Sequence, residues 1–112
     1  LYLNKDQTHA GRSIVAFNSH KKELFELSAD ELRQFSKDVA NAAQALQQAF
    51  APHKINYAIY GDHVSHLHVH LVPKYDTDED WGSAFVHAPL TIKTLEAEGY
   101  QRSVDQIHRH LL

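Results

Sequence analysis

The sequence predicts an α+β domain: an antiparallel sheet of about five strands, one long helix and a C-terminal helix. Three observations carry this reading. Short apolar runs of strand character occur at the start of the chain and again between residues 55 and 72. A capping box, Ser28-Ala29-Asp30-Glu31, opens a stretch in which Leu32, Phe35, Val39, Ala42, Leu46 and Ala49 recur at helical spacing. Near the end, Tyr100, Val104, Ile107 and Leu111 fall on one helical stripe.

Taken in order, residues 1–3 read as the end of a strand, and Lys5-Asp6-Gln7-Thr8 supplies turn chemistry. Residues 12–17 form a second strand, with Gly11 at its entrance, and the two pair as an antiparallel ribbon. The long helix starts at the Ser28 cap and runs to about Phe50, and Pro52 ends it. Residues 55–60 are a strand, Gly61-Asp62 a turn, and residues 64–72 a strand closed by Pro73. Residues 75–88 are acidic, then aromatic, without periodicity, and read as a long loop. The terminal helix covers roughly residues 95–110.

A chain of 112 residues with 43% apolar content fits one domain over residues 1–112 with a real core. The net charge of −3, with signs mixed along the chain, argues against a nucleic-acid or membrane partner. Cysteine is absent, which removes disulfide frameworks and Cys-based zinc sites and fits a cytoplasmic protein. Methionine is absent even at position 1, and the chain opens mid-pattern, so a preceding N-terminal segment is expected.

Histidine is in excess. Of ten, four lie between His63 and His70, and three alternate with aliphatic residues in His66-Leu67-His68-Val69-His70-Leu71-Val72. On a strand, side chains two apart share a face, so His66, His68 and His70 point the same way. Imidazoles need partners, and three on one face imply a site. His20, His53, His87, His108 and His110 are scattered singly and read as surface residues.

Three chemistries suit the run. An imidazole can attack phosphorus, since its ordinary pKa leaves a neutral, nucleophilic fraction at neutral pH. Two or three imidazoles can bind a metal, with Asp62 or His63 near enough in sequence to tempt as further ligands. Or the histidines cap a core. Spacing alone leaves these open.

The run and its setting resemble the histidine triad (HIT) family of nucleotide hydrolases and transferases. All seven residues from His66 to Val72 match that family's signature, His-x-His-x-His-x-x with aliphatic x. Gly61-Asp62-His63-Val64 stands where the family usually has Gly-Gln-Ser/Thr-Val, and Pro73-Lys74 is similar to its Pro-Arg ending. Asn4, Ala10-Gly11 and Ser13-Ile14-Val15-Ala16 resemble its nucleoside-facing ribbon, and His20 matches a histidine just past it.

The resemblance implies a HIT-like fold and cleavage at the α-phosphorus of a purine nucleoside phosphoramidate or dinucleoside polyphosphate. His68 would be the nucleophile that forms a nucleotidyl-histidine, His70 would assist the phosphate and leaving group, and His66 would orient His68. Asn4 would contact the ribose, Ile14 and Phe17 would wall the base, and Asp62 and His63 would face the leaving side. No metal or other cofactor is implied, the partner is a small-molecule nucleotide, and a homodimer is expected. Three departures bear on substrate: Arg12 replaces an additional histidine behind the triad, Asp62 a phosphate-binding glutamine, and His63 a small hydroxyl residue. A metal-dependent hydrolase and a nucleotide-binding module without turnover are the alternatives.

Overall fold

The computed structural model describes residues 1–112. Four antiparallel strands, rather than about five, form one sheet in the order β1-β2-β4-β3: β1 Tyr2–Leu3, β2 Ser13–Ala16, β3 Lys54–Ala58 and β4 His68–Lys74. No fifth strand forms because neither residues 59–67 nor residues 75–96 join the ladder. A 3-10 turn at Leu24–Glu26 precedes helix α1, Ala29–Phe50, and helix α2 spans Ala97–His108.

Helix α1 begins where its capping box places it. Glu31 N donates to Ser28 Oγ at 3.1 Å, and Ser28 N donates to Glu31 Oε1 at 2.9 Å. It ends at Ala51, whose φ of 48° is the left-handed conformation that terminates helices. Its apolar stripe covers one face of the sheet. Phe35, Ala42 and Leu46 pack against Val15, Val69 and Leu71, with Ile107 of α2 completing the cluster. Fully buried leucines such as Leu46, Leu67 and Leu71 each contribute about 1.5–3 kcal/mol.

Strand pairing decides what the other face carries. Ile14 lies opposite His70 and Ala16 opposite His68, while Ala58 flanks His70 from β3 and Tyr2 flanks Ile14 from β1. Directly paired residues share a face. Val15, Val69 and Leu71 therefore face the helices, and Ile14, Ala16, His68 and His70 face away.

Two boundaries differ from expectation. Strand β4 starts at His68, not Val64, so His66 is not on the strand face that carries His68 and His70. The chain is diverted there because Leu67 N donates to the Lys21 carbonyl and the Leu67 carbonyl accepts from Phe17 N. At its far end β4 continues through Pro73 to Lys74. Strand β2 begins opposite Leu71, so Pro73 is paired with β3 alone and its missing N–H is tolerated.

Candidate functional site

The helix-free face of the sheet floors a cavity of about 580 Å³. His66, His68 and His70 all line it, as do Asp62, His63 and Ile14. His66 thus reaches the site from the segment before β4 rather than from the strand itself.

Each triad imidazole has a defined partner. His66 Nε2 lies 2.5 Å from the Phe17 carbonyl, which can only accept, so His66 donates there. His68 Nδ1 lies 2.6 Å from the His66 carbonyl, and by the same argument carries the proton. In the neutral ring, that leaves His68 Nε2 as a lone pair. His70 Nδ1 lies 3.5 Å from Arg12 Nη2. A guanidinium has no acceptor, so His70 Nδ1 accepts and Nε2 carries its proton. The His68 and His70 rings meet edge to face at 5.1 Å.

His70 is 4% exposed, and its Nε2 is buried with no partner. Its pKa is pushed down to about 4, first by burial and then by the positive charge of Arg12 and the neighbouring imidazoles. His70 is consequently a neutral hydrogen-bond donor at neutral pH.

Two of the expected nucleoside contacts lie elsewhere. Phe17 is a core residue, packed edge to face on Phe35 at 5.5 Å, and its backbone rather than its ring serves the site by fixing His66. It does not wall a base. Asn4 lies in the β1–β2 connection and does not line the cavity. Its backbone N donates to the Arg12 carbonyl at 2.8 Å, and its side chain accepts from Lys5 N.

Other residues at the site carried no pattern in the sequence. Tyr2 and Tyr60 join the lining, and His87 enters it from the segment after β4. Arg12 is 3% exposed behind His70, with Asp6 Oδ2 3.4 Å from its Nη1 and the Phe85 ring 5.1 Å beneath its guanidinium carbon. Burial lowers the Arg12 pKa against the opposing pull of Asp6, and the residue stays cationic. The substitution of Arg12 for a histidine was visible in the sequence, but its burial and partners were not.

A hydrogen bond at one ring nitrogen leaves the other able to ligate, but the donor atoms of His66, His68 and His70 do not gather within 4.8 Å of one another as a metal set. His9, Asp78 and Asp80 do bring donor atoms within 4.8 Å of one another. There, however, Lys74 Nζ already lies 3.6 Å from Asp80, and Asp78 accepts from Tyr75 N at 2.7 Å. This set is a brace for the loop.

An antiparallel sheet with helices on one face and three histidines of a His-x-His-x-His run at a cavity on the other defines a histidine triad protein. The chain belongs to the HIT domain family, whose model matches residues 3–77. An uncharacterised HIT-like protein of Methanocaldococcus jannaschii is 28% identical over 81 residues, 69% of this chain and 63% of that protein. Protein hit of Bacillus subtilis is 24% identical over 89 residues, 75% of this chain and 61% of its own length. The chain thus spans just over 60% of the length of these curated relatives. A solved histidine triad protein of Sinorhizobium meliloti shares the fold with a TM-score of 0.84 at 22% identity, covering 97% of this chain and 80% of that one. One from Bradyrhizobium japonicum gives 0.83 at 20% identity, covering 98% and 81%.

Proposed function

We propose that this domain is a nucleotide hydrolase or transferase that acts at the α-phosphorus of a purine nucleoside phosphoramidate or dinucleoside polyphosphate, with His68 as nucleophile. The observation that carries the reading is the 2.6 Å hydrogen bond from His68 Nδ1 to the His66 carbonyl. It selects the tautomer whose Nε2 lone pair is free to attack. The HIT domain match supports a nucleotide-binding or hydrolase role.

In the first step His68 Nε2 bonds to phosphorus while the bond from phosphorus to the leaving group breaks, and the leaving group takes up a proton from solvent. In the second, water bonds to phosphorus and gives up a proton to solvent, the phosphorus–Nε2 bond breaks, and the nucleoside monophosphate leaves. His66 holds His68 through its carbonyl while the Phe17 carbonyl holds the His66 ring. His70 Nε2–H stabilises charge developing on a phosphate oxygen. Ile14 offers an apolar wall for the base. Asp62 and His63 face the leaving side, where a carboxylate disfavours a polyanionic tail. In solution we propose a homodimer.

The test uses an adenosine phosphoramidate and diadenosine polyphosphates in chelator, with acid-free denaturation to trap labelled protein. Expected are turnover, a nucleotidyl-protein, and loss of both in His68→Ala with the fold retained. His70→Ala should be slower than wild type but less severely impaired than His68→Ala. Activity surviving in His68→Ala would overturn the covalent mechanism, and chelator sensitivity would favour a metal enzyme. Tight binding of adenosine monophosphate with no cleavage would favour a binding module.

A further inference from the structure

The segment that leaves β4 does not wander off over the surface. Lys74, 2% exposed at the strand end, donates from Nζ to the carbonyls of Asp80 and Ser83, each at 2.6 Å. His9 pairs with Asp80 at 2.9 Å, and Phe85 is buried. Further on, Gln7 N donates to the Lys93 carbonyl, and Lys93 N donates to Asp6 Oδ1. Pinned at both ends, the segment brings one imidazole, His87, to the triad.

We propose that His87 is a further substrate-contacting residue of this site. Arg12 is the positioning residue that holds it, and His70 and His87 together offer two Nε2–H donors to the oxygens of a bound phosphate. The proposal rests on the reading above that the cavity takes a nucleoside phosphate.

The geometry is specific. Arg12 Nη2 donates to the His87 carbonyl at 3.1 Å and lies 3.4 Å from His87 Nδ1. The same nitrogen lies 3.5 Å from His70 Nδ1. Nη2 has two hydrogens for these three acceptors, so one is shared; because a guanidinium can only donate, an Nδ1–H on either ring would oppose it, and both rings favour a bare Nδ1 with hydrogen at Nε2. One arginine therefore sets two tautomers. The rings stand perpendicular, with centroids 4.7 Å apart, and Tyr60 packs on His87 at 4.5 Å. On the triad side, His70 Nε2 is buried without an acceptor, and such a donor is normally satisfied. A phosphate oxygen would satisfy it. The cation behind the two rings, anchored by Asp6, favours an anion in front of them. The resemblance described above expects an imidazole at position 12. Here the segment after β4 supplies an imidazole, His87, and arginine occupies position 12 against both rings.

Nitrogen-15 NMR of the histidine side chains in the full chain reads the arrangement directly, with adenosine monophosphate and inorganic phosphate as probes. Expected are unprotonated Nδ1 and protonated Nε2 for both His70 and His87, with both Nε2–H signals moving on addition of either probe. Arg12→Lys keeps the charge but lacks the fork, and should leave the His87 tautomer mixed. His87→Ala should weaken adenosine monophosphate binding about tenfold and lower kcat/KM on a phosphoramidate by a similar factor, with His87→Gln recovering part through its amide N–H. A His87 ring averaging between tautomers like a free surface histidine, or a His87→Ala variant equal to wild type in binding and turnover, would overturn the proposal. Those results would leave the His68 mechanism standing if His68→Ala is inactive. Failure of the wild type to bind either probe would overturn both.

Discussion

Arg12 Nη2 stands 3.5 Å from His70 Nδ1, so a buried cation sits against a buried imidazole. Protonating that imidazole would place two positive charges side by side in a site shielded from water. The His70 pKa of about 4 in the folded chain, against about 6.5 for an unperturbed ring, reflects burial first and then this charge. Above pH 6.5 the ring is neutral in both states and stability is unaffected. Between 6.5 and 4 the unfolded chain binds a proton that the folded chain refuses, so stability falls with pH. Below 4 both states are protonated and the loss levels off. The full difference amounts to about 3 kcal/mol. Urea midpoints at pH 7.5 and 4.5 should show it, and His70→Gln should lose that share of the slope. Equal slopes for the two proteins would refute the assignment.

Gly11 makes a second prediction. Its φ is +88°, and a Cβ built there would lie 2.7 Å from the Phe50 ring. The ring cannot recede easily, because the chain around it is fixed by the Tyr75 hydroxyl donating to the Phe50 carbonyl. Left-handed strain and overpacking then act together in Gly11→Ala, for a loss of about 2–4 kcal/mol. Thermal denaturation would check it, and a loss under about 0.5 kcal/mol would show that the turn relaxes freely.

Much of the fold was legible because its signals are local. The Ser28–Glu31 box and the stripe from Leu32 to Ala49 mark α1 with no knowledge of its neighbours. Alternation in the histidine run identified a strand and the residues of the site. It did not locate the strand's start, because the backbone of Leu67 is claimed by Lys21 and Phe17, both distant in sequence. On the strand read over residues 12–17, Ile14 and Phe17 are three apart, so the period of two already puts them on opposite faces, as the cavity and the core show. His87 had no signal at all. It is a lone histidine in a segment without periodicity, and only the tertiary anchors Lys74, Phe85 and Arg12 bring it to the triad.

The Lys74 anchor should be separable from the site chemistry. Its ammonium makes two charge-assisted bonds to backbone carbonyls, and the charge is compensated by Asp80 at 3.6 Å. Lys74→Met keeps the stem volume but leaves the Asp80 and Ser83 carbonyls and a carboxylate without their cation. A loss of about 2–3 kcal/mol is expected. Limited proteolysis should also show faster cleavage within residues 76–90, with α1 and the sheet still protected. An unchanged cleavage rate there would mean that Phe85, the His9–Asp80 pair and the Arg12 bond to the His87 carbonyl hold the loop without Lys74.

The last prediction concerns the proposed homodimer. Strand β3 is one of the two sheet edges, and beside it runs an apolar groove of about 570 Å³ between α1 and β3. Leu24, Leu32, Tyr57 and Ile59 line it and are exposed, with Tyr57 at 55% and Ile59 at 43%. An open edge with a long apolar flank is a surface that isolated domains avoid. A second copy related by a two-fold axis would cover both at once, edge against edge and groove against groove, so that each exposed apolar residue is buried twice in the assembly. Helix α1 also shows this face no charge that would oppose such packing, since the groove's only polar lining residue is Ser36. Light scattering should give a dimer for the wild type. Ile59→Glu, which places a carboxylate in the groove, should give a folded monomer with unchanged circular dichroism. A wild type that remains monomeric at the concentrations used for assay would refute the dimer while leaving the cavity chemistry, all of it supplied by one chain, untouched.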